Sequence, residues 1–212
     1  MKKILYLFSM SFLLLFNYNN AVAAEKSKLL TEAQPLDTVY GKEDAPVTII
    51  EYASLSCSHC ANFHKNVFPK LDEKLIKTGK VKLIYRHYPL NPPALRAAQI
   101  VECISDIEKK HNFIKALFRS QSDWAYKSSE KDFMDKIKVI AEIGGIDISS
   151  FNKCASDKDL EDKILAGQLK SGQELGVKST PTLFINGELF IGAKDADTVI
   201  GKVEEALNKV TK

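Results

Sequence analysis

Cys57 and Cys60, separated by Ser58 and His59, are the residues in this chain best suited to chemistry. They follow an apolar run, Val47 to Tyr52, that reads as a strand, and precede Phe63, Val67, Leu71 and Leu75 at helical spacing. Two cysteines three apart at a helix start face each other across one turn, close enough to form a disulfide. The first thiol also points at unpaired backbone N–H groups and the positive end of the helix dipole. That setting favours thiolate, the reactive form of cysteine. The chemistry is dithiol–disulfide exchange, with Cys57 the exposed nucleophile and Cys60, one turn inside, the resolving thiol. His59 can place positive charge or a hydrogen bond near the Cys57 sulfur. Each unit by which the Cys57 pKa falls stabilises thiolate by about 1.4 kcal/mol. Thiolate exists only in the reduced pair, so the same energy shifts a two-electron couple by about 30 mV towards reduction. A strongly depressed thiol pKa therefore makes the disulfide an oxidant.

Two other uses of a CxxC compete with this one, a zinc site and an inert disulfide. A structural zinc ion asks for four ligands, usually including a second close pair. The remaining cysteines, Cys103 and Cys154, are not close in sequence.

Three further positions have two readings each. Pro181, in Thr180-Pro181-Thr182, is either an ordinary proline at a strand entry or a cis-proline. If cis, it brings the Thr180 backbone beside the CxxC, where its N–H and C=O can bind an extended substrate segment. Glu51 interrupts an apolar strand, which is costly for a carboxylate unless it is used. It either accepts a proton from Cys60 or faces solvent from an edge strand. Cys103 and Cys154 either bond to each other or remain buried free thiols. Cys103, one helical turn from Ile100 and from Ile107, is expected to face inward. A bond between the two would close a loop of about fifty residues and stabilise the fold by about 4 kcal/mol. His64 lies one turn beyond Cys60 and can touch the site; it, His87 and His111 read as structural or solvated. Trp124, Phe113 and Phe118 read as core.

The elements that must position these residues follow from periodicity and turn signals. Leu36 to Tyr40 is a short first strand, Val47 to Tyr52 a central one, and Val81 to Tyr88 the next. The helix from about Cys57 to Lys77 contains Pro69, which should bend it. Strand, helix and strand at this length form a βαβ unit with parallel strands. Ala94 to Leu175 is helical throughout, with Gly144-Gly145 as one stop. Thr182 to Ile185, Asn186-Gly187 and Glu188 to Ile191 form a hairpin, and Ala193 to Val210 a closing helix. Helices flanking a mixed sheet, with an all-helical insertion, make an α/β architecture.

The 212 residues are 45% hydrophobic and 27% charged, ordinary globular values. Lys2 and Lys3 precede an apolar run, Ile4 to Phe16, too short to span a bilayer comfortably. Asn17 to Asn20 break it, and Ala21-Val22-Ala23 offers the small-x-small pattern of a signal peptide cleaved after Ala23 or Ala24. An uncleaved anchor is the alternative. No cysteine directly follows the cleavage site, which argues against a lipoprotein. Without Lys2 and Lys3 the balance is 28 basic against 27 acidic residues, which argues against nucleic acid or a charged membrane surface as partner. Residues 1–23 are thus expected to be a signal peptide and 24–35 a loose polar leader. Residues 36–92 and 176–212 are expected to form the two parts of the main domain, around a helical insertion at 93–175.

Three stretches resemble the DsbA-like thiol:disulfide oxidoreductases. They are Gly41 to Cys60, the strand ending Arg86-His87-Tyr88-Pro89-Leu90, and Gly176 to Thr182 followed by Asn186-Gly187. The resemblance covers about Leu36 to Val210. It implies a thioredoxin fold, a central mixed sheet flanked by helices, with an inserted all-helical domain. It also implies that Cys57 is the nucleophile, Cys60 the buried partner and Pro181 cis. Glu51, six residues before Cys57, falls at the buried-acid position of thioredoxin-like proteins, and Cys103 and Cys154 resemble an extra pair found in part of the family. Ser58 stands where proline is common. Thr180 stands where valine is common, as also occurs in relatives with isomerase or reductase roles; Ser58, His59 and Thr180 are the positions that tune redox poise in the family it resembles.

The expected protein is a periplasmic monomer without cofactor or metal. It donates its Cys57–Cys60 disulfide to reduced exported proteins and is reoxidised by a DsbB-like membrane redox partner. The C-terminal Val210-Thr211-Lys212 is no ER-retention signal, which fits the periplasm. The rival readings are an isomerase or reductase of the same fold and, from another class, a soluble copper or zinc carrier using Cys57, His59 and Cys60.

Overall fold

In the computed structural model, which describes residues 26–191 and 195–210, five strands form one sheet in the order β1-β3-β2-β4-β5. The strands are β1 (Thr38–Tyr40), β2 (Val47–Ala53), β3 (Val81–His87), β4 (Thr182–Ile185) and β5 (Glu188–Ile191). The signal segment expected at 1–23 lies outside the described residues. β2 is central, parallel to β3 and antiparallel to β4. Its residues alternate between two cores, as a strand covered on both faces must. Val47, Ile49 and Ala53 face the core that contains Cys60, Phe63 and the insertion's aromatics. Ile50 and Tyr52 pack on the other face with Ile84, Val177 and Phe184.

The crossover from β2 to β3 is helical but not uniform. α1 (Ser58–Asn62) runs into a π segment (Phe63–Val67), then α2 (Phe68–Leu71) and a second π segment (Asp72–Ile76). Pro69 stands at the start of α2, where a missing N–H costs least. The wider π turns pass the chain through the proline, so the expected bend becomes an alternation of α and π pieces.

Between β3 and β4 come α3 (Pro92–Glu102), α4 (Ile107–Arg119), α5 (Gln121–Trp124), α6 (Glu130–Ile143), α7 (Ile148–Ala155) and α8 (Lys158–Leu175). Five of these starts are capped by a side chain bonding a first-turn N–H: Asn91, Asp106, Ser129, Asp147 and Asp157. Phe113, Leu117, Phe118, Trp124 and Phe133 join the core on the Cys60 side of the sheet. α9 (Ala196–Val210) packs Val199, Ile200 and Val203 into the same core. The hairpin turn uses Asn186 at φ 46° and Gly187 at φ 81°, the pair of left-handed residues that a tight β4–β5 turn requires.

Two expectations are corrected. The leader is not loose: residues 26–31 are helical, and Leu29 is buried. Arg86 holds the segment through the Leu29 and Glu32 carbonyls and the Asp37 carboxylate. Cys103 does not face inward from a helix. It is exposed at the C-cap of α3, because the helix ends one residue earlier.

Candidate active site

Cys57 occupies the N-cap of α1, with extended backbone angles and no side-chain cap bond. A serine or aspartate there would spend its oxygen on the helix's free N–H groups. Cysteine leaves those groups aimed at sulfur. Cys57 is half-buried and Cys60 fully buried, and neither is bonded to another cysteine.

The two thiols are pushed in opposite directions. Cys57 falls to about 5, first through the hydrogen bond from the Cys60 side chain. Burial opposes this; the Thr180 side chain and the backbone N–H groups of Cys60 and His59 reinforce it. Cys60 rises well above the usual thiol range because it is buried, because its proton is held by Cys57, and because Glu51 is nearby. One proton is thus held on the inner sulfur while the outer one carries the charge.

The Thr180–Pro181 peptide is cis, and the Thr180 carbonyl oxygen lies 3.2 Å from Cys57 Sγ, accepting from it when the thiol is protonated. The Thr180 hydroxyl is buried with no other partner, so its hydrogen is free to turn to the Cys57 sulfur. Glu51 is fully buried, on the Cys60 face of β2. Its Oε2 lies 2.9 Å from His64 Nε2 and its Oε1 has no partner. The edge-strand reading of Glu51 is therefore wrong: β2 has a neighbour on each side.

The structure brings Cys57, Cys60, Thr180, Pro181 and Glu51 together. His59 contributes through its backbone N–H, while the residue is exposed. Cys103 and Cys154 are bonded, with S–S 2.05 Å, and join the end of α3 to α7 within the insertion. Among the described residues, no three His, Cys, Asp or Glu side chains are grouped to hold a metal ion.

Two residues matter more here than the sequence suggests. Gln121, buried at the start of α5, donates to the Leu55 carbonyl at 2.7 Å and the Cys57 carbonyl at 3.0 Å. Its own oxygen accepts from the Tyr126 hydroxyl at 3.2 Å. No local pattern marks such a residue. His64 had one available signal, its position a turn past Cys60, but its partner Glu51 belongs to another element.

Residues 33–205 match the family described as thioredoxin. The structure superposes on Wolbachia pipientis alpha-DsbA1 with TM-score 0.78 and 35% identity, covering 84% of this chain and 94% of that one. The chain belongs to the DsbA-like thioredoxin family. Another member, the thiol-disulfide exchange protein alpha-DsbA2 of Wolbachia pipientis, gives TM-score 0.68 and 27% identity, covering 89% of this chain and 96% of that one. A Rickettsia felis relative, provisionally named a protein-disulfide oxidoreductase, is 27% identical over 173 residues. That match takes in 82% of this chain but 61% of the longer relative. Within the family, the CxxC at a helix start and the facing cis-proline loop are the features that this chain presents side by side.

Proposed function

We propose that this chain is an exported thiol:disulfide oxidoreductase that donates its Cys57–Cys60 disulfide to reduced exported proteins. The observation that carries the reading is geometric: a half-buried Cys57 at the N-cap of α1, above a buried Cys60 and facing the Thr180–cis-Pro181 loop. A client thiolate attacks Cys57 Sγ, the Cys57–Cys60 bond breaks, and Cys60 leaves with the electron pair. A second client thiolate then attacks the client sulfur of the mixed disulfide, and Cys57 leaves as thiolate. The low Cys57 pKa makes it the better leaving group at that last step. Thr180 and cis-Pro181 border the sulfur and offer an extended client segment a backbone edge.

Export to a periplasm is supported by the apolar run Ile4 to Phe16 and by the Cys103–Cys154 bond, which needs an oxidising compartment to persist. A DsbB-like membrane partner is the reading for reoxidation, and the protein acts as a monomer without cofactor. The test is oxidation of a reduced, unfolded test protein by the preoxidised chain. Full activity of Cys57→Ser would reject the mechanism. Recovery of scrambled ribonuclease at a higher rate than oxidation of the reduced protein would move the assignment to isomerase.

A further inference from the structure

Cys60 must take up a proton when it leaves the disulfide and give one up when it attacks a mixed disulfide at Cys57. It is fully buried in the main core, among Val67, Phe63 and Ile49. Bulk water does not reach it. Glu51 is the carboxylate whose charge acts on it. Glu51 Oε1 is buried and unpartnered, an arrangement that costs free energy unless the group is used. Its other oxygen is bonded to His64 at 2.9 Å. The His64 ring is stacked on Phe118 at 4.2 Å and on Phe68 at 5.3 Å, which fixes its plane. His64 also lines a cleft of about 780 Å³, bordered by Tyr40, Lys42, Asp72 and His111.

Glu51 is the buried acid that serves Cys60; we propose that His64 is the outlet of that acid, exchanging its proton with water in the cleft. The inference rests on the exchange reaction proposed above. As Cys60 attacks, its proton leaves Sγ and reaches Glu51 Oε1 through one bridging water, since no direct bond joins the two groups. Its electron pair forms the bond to Cys57 Sγ, and the bond from Cys57 to the client sulfur breaks. The client sulfur leaves with that bond's electron pair. The carboxyl passes a proton through Oε2 to His64 Nε2, and the ring releases one to the cleft. The reverse sequence protonates Cys60 when it leaves. His64 touches no reacting sulfur, so it is a positioning and relay residue. The other titratable groups facing the pair are Tyr40 on β1 and Tyr85 on β3, both held protonated first by burial and then by Glu51. Asp72, Lys42 and His111 border the cleft.

The test uses the reduced protein and an aromatic disulfide that releases a coloured thiol. Attack by Cys57 releases the first thiol; attack by Cys60 on the mixed disulfide releases the second. His64→Gln keeps a hydrogen bond to Glu51 but cannot carry a proton. It should slow the second phase about a hundredfold, at the low end of general acid–base contributions, and leave the first phase at the parent rate. Glu51→Gln should slow the same phase, and the double variant should be no slower than the worse single one. In His64→Ala, added imidazole should restore the second phase through the cleft. A second phase at the parent rate in His64→Gln would overturn the path, as would equal slowing of both phases. If the parent protein shows no second phase, the exchange reaction itself fails.

Discussion

Gln121 Nε2 lies 3.0 Å from the Cys57 carbonyl oxygen, across 64 positions of sequence and from the helical insertion to the active-site loop. The same nitrogen also holds the Leu55 carbonyl, so one amide bonds the chain on both sides of Ser56. Both of its N–H donors and its oxygen are occupied. The insertion thereby sets the angle at which the chain enters α1. Gln121→Ala is expected to cost about 2 kcal/mol, the penalty for leaving buried carbonyls unpaired. It should also raise the Cys57 pKa, because the N–H groups of His59 and Cys60 would no longer be held on the sulfur. Thiolate absorbance against pH reads the second effect, and urea unfolding the first.

The reduction potential should depend on pH with a break at about 5. Below the Cys57 pKa, reduction consumes two protons for two electrons, a slope of about 59 mV per pH unit; above it one proton, about 30 mV. The sign follows from the lowered pKa: thiolate stabilisation is fully present above the unfolded value and lost as pH falls through the folded one. The reduced protein's stability advantage over the oxidised form should therefore shrink as pH drops through about 5. Equilibration with glutathione across that range would expose a single slope if Cys57 titrated normally.

Removing the Cys103–Cys154 bond should destabilise the protein by about 4 kcal/mol, the chain-entropy value for a loop of this length. The bond lies at the far ends of α3 and α7 within the insertion, while Gln121 and Phe118 join the insertion to the site. A Cys103→Ala/Cys154→Ala variant should thus lose stability in urea while its Cys57 pKa stays near the parent value. A shift of that pKa by a unit would show that the bond also tunes the site.

Arg86 spends all five N–H donors inside the fold, on Asp37, Tyr52 and the Leu29 and Glu32 carbonyls. Burial alone would lower its pKa, but the Asp37 carboxylate outweighs this and raises it. Arg86→Met would leave Asp37 buried without its partner, at a cost of about 3–5 kcal/mol. It should also free the segment around residues 26–37. Trypsin cleavage at Lys26 and Lys28, faster in the variant than in the parent, is the check; equal rates would mean that the segment is held by Leu29 packing alone.

Much of this molecule is legible locally. The strand alternation of β2, the Asn186-Gly187 turn, the serine, aspartate and asparagine caps and a CxxC at a helix start each depend on residues within a few positions. Periodicity and hydrogen-bonding preference act at that range, so these features are written in the chain order. Pro69 was legible as a disturbance but not in its outcome, since wider helical turns and a new helix start absorb it equally well.

What only the tertiary structure decided is the field at the two sulfurs. The Thr180 carbonyl meets Cys57 from 123 positions away, and Gln121 from 64. Glu51 finds His64 between two elements, and Arg86 collects the segment before β1 into one web. Hydrogen bonds act over about 3 Å, and which groups come that close is set by how the sheet, crossover and insertion pack. The residue types announce a dithiol at a helix start with Cys57 as its thiolate; the packing around it buries Cys60 and brings the distant groups that reinforce the difference.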